Sequence, residues 1–290
     1  MSAIRGFFIR ADISNADFSG ADLRFASFVE AKCSPDWAGV SYCTEPPDFN
    51  GADLTGATFA YGPGIGASDA LMSEAVFTGS GSDWAVGSDV RGSVGFECRA
   101  CRGSDLRNAV VLVGGPQEAD MTDSNLDGAM IVGPFWNGFV IRNSSFRGAV
   151  LTRPVFRFAE IVEADFSNAL FAGTGQRTPT YEPPTEIWRS RIENSIFDGV
   201  HLGESRISDS EIIGSSFLGG SVSGWIGRMQ IRSSAFEGFD FGGSTIEDSS
   251  LEGSDLEGAL VGSVHWSSVR CSDGTRSNDN LGTCEGHLSP

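Results

Sequence analysis

A period of five residues constrains the fold of this chain more than any other feature. From Ala11 the sequence reads ADISN, ADFSG, ADLRF, ASFVE: a small residue, a polar residue, then Ile, Leu or Phe, and two small or polar residues. We call the large apolar residue the centre of its unit. The longest register holds its phase without a break from Phe96 to Phe171. A period of five matches neither the ~3.6 residues of an α-helix nor the ~2 of a strand.

A simple geometry explains this period. If each unit turns the chain through one corner, the centre and the small residue two positions earlier point inward, and the other three residues face solvent. A coil that closes after four units can stack on the next coil at the ~4.8 Å spacing of strands, so that the centres form a continuous core. No change of composition marks a second domain. We therefore predict one elongated solenoid over residues 1–290.

Several units follow an A(D/N)LxG pattern. Residues 16–20, 52–56 and 254–258 read ADFSG, ADLTG and SDLEG. This pattern resembles the pentapeptide-repeat family. The resemblance implies an all-β fold, specifically a right-handed quadrilateral β-helix. It does not imply a single function, because one fold hosts many roles.

The repeat breaks in three places. Segments 33–48 and 172–186 leave the pattern and predict loops extruded from the coil wall, while residues 60–95 predict irregular coils. The centres that we expect in the irregular coils are Met72, Phe77 and Val90. Loops on a regular scaffold often carry function, although a solenoid also tolerates insertions at little cost. The candidate partner-binding residues of the second loop are Gln176, Arg177, Tyr181 and Glu182.

Six cysteines interrupt or border the repeat. The candidate disulfide cysteines are Cys33, Cys43, Cys271 and Cys284. The first two bracket one short segment outside the repeat, and the last two bracket another. Segment 271–290 is also similar to the tail of exported pentapeptide-repeat proteins, which implies a disulfide between Cys271 and Cys284 that caps the last coil. The Asp and Asn residues of this tail lack the order of a calcium-binding EF-hand loop, and we predict no metal site there.

Cys98 and Cys101 have the spacing of a zinc knuckle. The chain has no second CxxC and no pair of histidines to complete four ligands. We therefore interpret both residues as small side chains near the core.

The chain is strongly acidic, with a formal net charge of −18. Many carboxylates come directly before or after a centre, where they face solvent. The most one-sided segment lies between Arg232 and Arg270, which contains no Lys or Arg. We expect Glu237 and Glu257, one coil apart, to stack on the same face. The candidate partner-binding acids are Glu237, Asp240, Glu247, Glu252, Asp255 and Glu257.

This charge bounds the partners of the protein. A surface of −18 repels nucleic acid and anionic membranes, and it favours a protein partner. The simpler alternative is that the acids only maintain solubility. No segment approaches the ~20 apolar residues that span a bilayer, and the N-terminus is too short for a secretory signal before polar repeats begin. We expect a cytoplasmic location, or export if the chain is a mature form.

Nothing in the sequence indicates catalysis. His201 and His265 occupy solvent-facing positions of their units, and His287 lies in the tail. The nucleophile elbow, the HExxH motif and the phosphate-binding loop are all missing from the sequence. We predict a protein that is not an enzyme and that needs no cofactor.

Two functions remain open at this point. The chain resembles family members that protect type II topoisomerases. This resemblance implies DNA mimicry at DNA gyrase or topoisomerase IV, with antibiotic resistance or self-resistance as the outcome. A homodimer is one possible assembly state. The alternative is an exported structural or adhesive solenoid stabilised by disulfides.

Overall fold

The structure is a computed structural model, and it describes residues 2–31, 47–61, 66–78, 85–98, 100–112, 119–133, 136–152, 154–172 and 185–290. Contacts divide the chain into two units. Unit 1 is Met1–Gly114 with Ala119–Val132, and unit 2 is Gly115–Glu118 with Gly133–Pro290. The single solenoid over residues 1–290 stays a prediction.

Unit 1 contains one parallel sheet whose strands follow chain order. Centre lies beside centre in its register, so that Phe8 pairs with Phe28, Phe28 with Phe59, and Phe59 with Phe77. Its strands are β1 (Phe7–Ile9), β2 (Ser27–Val29), β3 (Thr58–Ala60), β4 (Val76–Thr78), β5 (Val94–Glu97), β6 (Val110–Leu112) and β7 (Met130–Val132).

Unit 2 contains the remaining strands and, in the tail, a short 3-10 helix, Ser277–Asp279. The strands are β8 (Trp136–Asn137), β9 (Val140–Arg142), β10 (Val150–Thr152), β11 (Val155–Arg157), β12 (Glu160–Val162), β13 (Leu170–Ala172), β14 (Thr185–Trp188), β15 (Arg191–Glu193), β16 (His201–Ser208), β17 (Glu211–Ile213), β18 (Ser221–Gly227), β19 (Gln230–Arg232), β20 (Ser244–Glu247) and β21 (His265–Ser267).

All strand pairs of unit 2 in the described residues are parallel. One sheet has the order β9, β12, β15, β17, β19. A second series runs β8, β11, β14, β16, β18, β20, β21. The first residues of β16 also pair with β13, which pairs with β10. Together with the sheet of unit 1, this arrangement confirms the predicted all-β parallel solenoid.

The corners explain the polar residue before each centre. Asp17 Oδ1 accepts the backbone N–H of Ser19 at 2.9 Å, and Asp240 Oδ1 accepts that of Gly242 at 2.7 Å. These are Asx turns, in which a short acidic or amide side chain satisfies the backbone two residues later. The last residue of a unit often has a positive φ, such as 54° at Asn15, a conformation that Asn and Gly tolerate best.

The interior is built from stacked centres. In unit 1 the rings of Phe8, Phe28 and Phe59 lie in parallel, with centroids 4.6 and 4.8 Å apart. In unit 2 Phe166 and Phe197 continue the same arrangement at 4.8 Å. Stacked, close-packed rings exclude water from the core and stabilise each coil on its neighbour.

Serine at the small position has a specific role. Ser190 Oγ accepts the N–H of Ala159 in the preceding coil at 3.1 Å and donates to the Phe156 carbonyl at 3.2 Å. Ser210 Oγ accepts the N–H of Ser190 at 3.0 Å in the same way. The small residue therefore also bonds backbone groups that the corners leave free from sheet pairing.

Coil length varies along the chain. Stacked partners are 20 residues apart in the regular coils, 31 across the second predicted loop, and 18 and 16 in the region of residues 60–95. Met72 and Val90 are fully buried there, as expected of centres. The two predicted loops lie largely outside the described residues.

Candidate functional site

Stacking places equivalent residues of successive coils in columns. In unit 1 one such column carries Asp22, Asp53, Leu71, Asp89 and Asp105 directly before their centres. Arginines follow three of these centres. We call the resulting set the Asp–Arg ladder, which consists of Asp22, Arg24, Asp53, Asp89, Arg91, Asp105 and Arg107.

Each arginine of the ladder pairs with the acid of its own unit, and two of the three also approach an acid of the next coil. Arg91 lies 2.6 Å from Asp89 in its own unit and 3.7 Å from Asp105 in the next coil. Arg24 binds Asp22 at 2.9 Å and approaches Asp53 at 3.6 Å. The hydrogen bond from Arg91 holds the pKa of Asp89 below its usual range, and Arg24 and Arg107 lower the pKa values of Asp22 and Asp105 in the same way. The three arginines therefore offset three of the four carboxylate charges of the ladder.

Unit 2 carries a column of the same kind, in which Asp165 is paired with Arg147 but Asp255 has no Arg, Lys or His within 4 Å among the described residues. It runs Ser145, Asp165, Ile196, Ser216, Ala235 and Asp255, each directly before its centre. We call four acids of this surface the carboxylate row: Asp198, Glu237, Asp255 and Glu257. None of the four has an Arg, Lys or His partner within 4 Å in the described part of the chain.

Hydrogen bonds within and between the turns hold two aspartates of the carboxylate row in place. Asp198 Oδ1 accepts bonds from Ser216 Oγ at 2.5 Å and from the Leu218 N–H at 2.9 Å. Asp255 Oδ1 accepts the N–H of Glu257 at 2.9 Å. Glu237 and Glu257 follow the centres of adjacent coils, and both are exposed. Their stacking, expected from the sequence, is observed.

The structure separates the other predicted acids from this row. Asp240 stacks between Ser221 and Leu260 in a different column. Glu247 accepts the indole N–H of a tryptophan on β18, and Glu252 pairs with Arg270 at 2.6 Å. These three residues therefore do not form one surface with Glu237, Asp255 and Glu257. The loop candidates Gln176, Arg177, Tyr181 and Glu182 lie outside the described residues.

Sequence reasoning missed a second cluster, also in unit 2. We call it the Trp–Arg patch: Phe158, Trp188, Arg189, Arg206, Trp225 and Arg228. All six residues occupy positions of the repeat that face outward. A tryptophan in a solvent-facing position, rather than at a centre, was the signal that could have identified it.

Asp209 organises one half of the patch. It accepts the Trp188 indole N–H at 3.1 Å and two bonds from the Arg228 guanidinium, each of 2.6 Å. The guanidinium of Arg189 lies 4.5 Å from the centre of the Trp188 ring, and the Phe158 ring lies 5.1 Å from it. The bonds from Arg228 and Trp188 lower the pKa of Asp209 to about 2.

Trp225 organises the other half. Its indole N–H donates to Glu247 Oε1 at 2.6 Å, and the guanidiniums of Arg206 and Arg228 lie 5.0 and 5.4 Å from its ring. The ring crosses Gly227, where a Cβ would collide with three indole carbons. Glycine at 227 thus leaves the space in which the indole lies flat against the coil.

Two disulfides are present in the described residues. Cys98 and Cys101 are joined and buried. Both side chains lie in the core, as expected, but the sequence analysis did not anticipate the bond between them, which forms because the coil brings the two Cα atoms to 6.1 Å. The predicted pair Cys33 and Cys43 lies outside the described residues.

Cys271 and Cys284 form the second disulfide, and both are fully buried. The tail that they hold folds over the last coil, where the Leu288 carbonyl accepts the N–H of Leu256 at 2.8 Å. The tail thus bonds a backbone N–H that a further coil would otherwise bond.

No group of three or more His, Cys, Asp or Glu side chains in the described ranges has an arrangement that could hold a metal ion. No helix in the same ranges is long and apolar enough to cross a membrane.

The family model described as pentapeptide repeats (8 copies) matches residues 8–34. The matched units have the same inward centres and Asx turns as the coils described above. Residues 8–34 therefore carry the sequence signature of pentapeptide repeats, and the described coils have the parallel β-solenoid expected of that signature. No curated protein matches the chain.

Solved structures similar to this chain include a pentapeptide repeat protein and a fluoroquinolone resistance protein. HetL, a pentapeptide repeat protein involved in heterocyst differentiation regulation from the cyanobacterium Nostoc sp. strain PCC 7120, is 16% identical, with 89% of this chain and 92% of HetL covered and a TM-score of 0.34. QnrB1, a plasmid-mediated fluoroquinolone resistance protein, is 16% identical, with 84% and 92% covered and a TM-score of 0.26.

A bacteriophage protein is also similar. Tailspike protein 3 of bacteriophage CBA120 is 10% identical, with 87% of this chain covered and a TM-score of 0.49. The chain spans 51% of that tailspike. These likenesses assign no function to this chain.

Proposed function

We propose that this protein is a non-enzymatic binding protein whose carboxylate row docks on a type II topoisomerase, DNA gyrase or topoisomerase IV, where DNA would otherwise bind. Protection of the topoisomerase from a poison is the outcome that this binding would have for the cell. The observation that carries the proposal is the absence of a cationic partner for Asp198, Glu237, Asp255 and Glu257 among the described residues.

Charge spacing supports mimicry of a phosphate backbone. Stacked coils repeat at ~4.8 Å, and phosphates along one DNA strand repeat at ~3.4 Å of helix axis. Glu237 and Glu257 are therefore spaced like neighbouring phosphates within about 1.5 Å. A surface whose acids were paired, like the Asp–Arg ladder, would present no such field to a cationic DNA-binding groove.

The test is a supercoiling assay with purified DNA gyrase, a gyrase poison and increasing amounts of the protein. We expect the wild-type protein to restore supercoiling. The variant Glu237→Lys/Glu257→Lys should lose this effect. The matched control is Glu163→Lys/Glu204→Lys, which changes the net charge equally at two exposed glutamates outside the row.

Comparison with the Glu163→Lys/Glu204→Lys control separates an effect of the row from an effect of net charge. Loss of rescue in the Glu237→Lys/Glu257→Lys variant alone supports docking through the row. Equal loss in both variants means that net charge, not the row, is responsible. The absence of rescue by the wild-type protein, with DNA gyrase and with topoisomerase IV, contradicts the proposed partner.

The disulfides favour a second candidate, an exported structural or adhesive solenoid. Structural disulfides persist in oxidising compartments and are rare in the cytosol of mesophiles. Mass spectrometry of the unreduced protein, isolated from its native cells, tests this candidate. Intact bonds at Cys98–Cys101 and Cys271–Cys284 together with a trimmed N-terminus support export, and free thiols with an untrimmed start contradict it.

A further inference from the structure

We propose that the Trp–Arg patch is a second binding site, separate from the carboxylate row, and that it takes an acidic segment of a partner protein through the guanidiniums of Arg189 and Arg206. This proposal does not depend on the topoisomerase, because the patch and the row occupy different columns of unit 2.

The first observation concerns ion pairs. Twelve arginines of the described residues lie within 4 Å of a carboxylate, as in the Asp–Arg ladder. Within those residues Arg5, Arg189, Arg206 and Arg276 have no such partner. Two of the four belong to one patch, although the chain carries 38 acidic residues against 20 basic ones.

The second observation concerns how these two cations are held. Arg189 lies over Trp188 at 4.5 Å and over Phe158 at 5.9 Å, and Arg206 lies over Trp225 at 5.0 Å. Cation–π contacts of this kind fix the plane of a guanidinium without using its N–H donors. The donors of Arg189 and Arg206 therefore remain free for a ligand.

The aromatic rings are themselves fixed. Trp188 and Trp225 each donate their indole N–H to a carboxylate, Asp209 and Glu247. Gly227 lets the second indole lie flat. A site in which supporting residues hold the binding groups in place loses less conformational entropy when it binds its ligand.

The chemistry of the patch selects the ligand class. A guanidinium fork matches a carboxylate or a phosphate in bidentate geometry. Four carboxylates lie on or beside the patch: Asp209 and Glu247 on the indoles, Glu186 on the strand of Trp188, and Asp248 near Arg228. They repel a dianionic phosphate more strongly than a single carboxylate. The indole faces are covered by guanidiniums, which leaves little ring surface for stacking of a base. These features favour separate carboxylates on a peptide.

The dimensions of the patch favour a short segment. A shallow, open groove of about 630 Å³ runs beside Arg189, Asp209 and Arg228 in one half of the patch, and Arg206 lies outside it. This volume is within the range of small-ligand sites, ~300–1,000 Å³, and the patch covers only a few stacked strands. A short acidic segment of a partner therefore fits better than a whole protein face.

The experiment measures binding of a short fluorescein-labelled peptide of alternating Glu and Gly by fluorescence anisotropy at low salt. We expect Arg189→Gln/Arg206→Gln to weaken binding at least ~tenfold, because two charge-assisted bonds are lost. The matched control is Arg5→Gln/Arg276→Gln, which removes the two other arginines without a carboxylate partner and should change affinity less than ~twofold. Circular dichroism checks that both variants keep the fold.

A charge-preserving variant tests the fork. Arg189→Lys/Arg206→Lys should also weaken binding, since an ammonium cannot replace the bidentate geometry. Equal weakening in the patch and control variants, or no binding by the wild-type protein, would overturn the proposal. Tighter binding of polyphosphate or of a polyuronate than of the peptide would overturn its assignment to a protein segment.

Discussion

The Asp–Arg ladder of unit 1 and the carboxylate row of unit 2 arise from the same repeat but present opposite electrostatics. In both, acids lie next to a centre and face solvent. In the ladder the residue after the centre is Arg24, Arg91 or Arg107. Each pairs with the acid of its own unit, and the first two also approach an acid of the next coil. In the row the equivalent residue is another acid, Asp198, Glu237 or Glu257.

This difference shows that the residue after the centre decides whether the acids beside it are paired or left unpaired. This residue lies outside the core, so that it can change sign without changing the fold. A repeat protein can therefore keep one scaffold while one unit presents a surface of ion pairs and another unit presents an anionic surface.

The largest expected effect comes from breaking the scaffold that the two regions have in common. Phe156 is fully buried at a centre, whereas Phe158, two residues later, is 50% exposed. We expect Phe156→Asp to destabilise unit 2 by more than ~3 kcal/mol, because it buries an unpaired charge in place of a ring. Urea unfolding followed by circular dichroism measures this. Phe158→Asp is the control and should cost less than ~1 kcal/mol.

Charge reversal in the ladder should have an intermediate effect. Arg91→Glu/Arg107→Glu turns ion pairs into repulsions between stacked coils and should lower stability by about 1–2 kcal/mol, since exposed pairs are individually worth ~0–1 kcal/mol. The reciprocal change in the row, Glu237→Arg/Glu257→Arg, should leave the urea midpoint nearly unchanged. A similar loss of stability in both variants would contradict the distinction between the two regions.

Acid should weaken the ladder with a defined sign. The pKa of Asp105 is lowered in the folded state, chiefly by the hydrogen bond from Arg107. Its contribution is therefore fully present above the unfolded pKa of ~3.9 and is lost as the pH falls through the folded pKa. Unfolding midpoints between pH 6 and pH 2 should fall less steeply for Asp105→Asn, whose amide oxygen can still accept the turn N–H. An unchanged slope would contradict this role.

Salt should have the smallest effect, of a few tenths of a kcal/mol. Screening at ~1 M salt weakens the pairs of the ladder and relieves repulsion within the row. Added salt should accordingly stabilise Arg91→Glu/Arg107→Glu more than the wild-type protein. Urea midpoints at low and high sodium chloride provide the comparison, and a salt response of opposite sign would contradict it.

Much of the fold could be predicted from the period alone, because inward or outward direction depends only on the position within a unit. Burial of Met72 and Val90 and the stacking of Glu237 on Glu257 follow from this local phase. The distribution of the predicted acids could not be obtained in the same way. Asp240, Glu247 and Glu252 belong to other columns because successive units lie on successive sides of the coil.

The sequence by itself determined the solenoid, its core and its acidic exterior, since these depend on residues a few positions apart. Only the tertiary structure decided which side chains meet across coils, because coil lengths vary. Arg206 stacks on Trp225 at a separation one residue shorter than a regular coil, after a shift of register within β16 and β18. The disulfide of Cys98 with Cys101 likewise required the position of the corner, which brings the two β-carbons within reach.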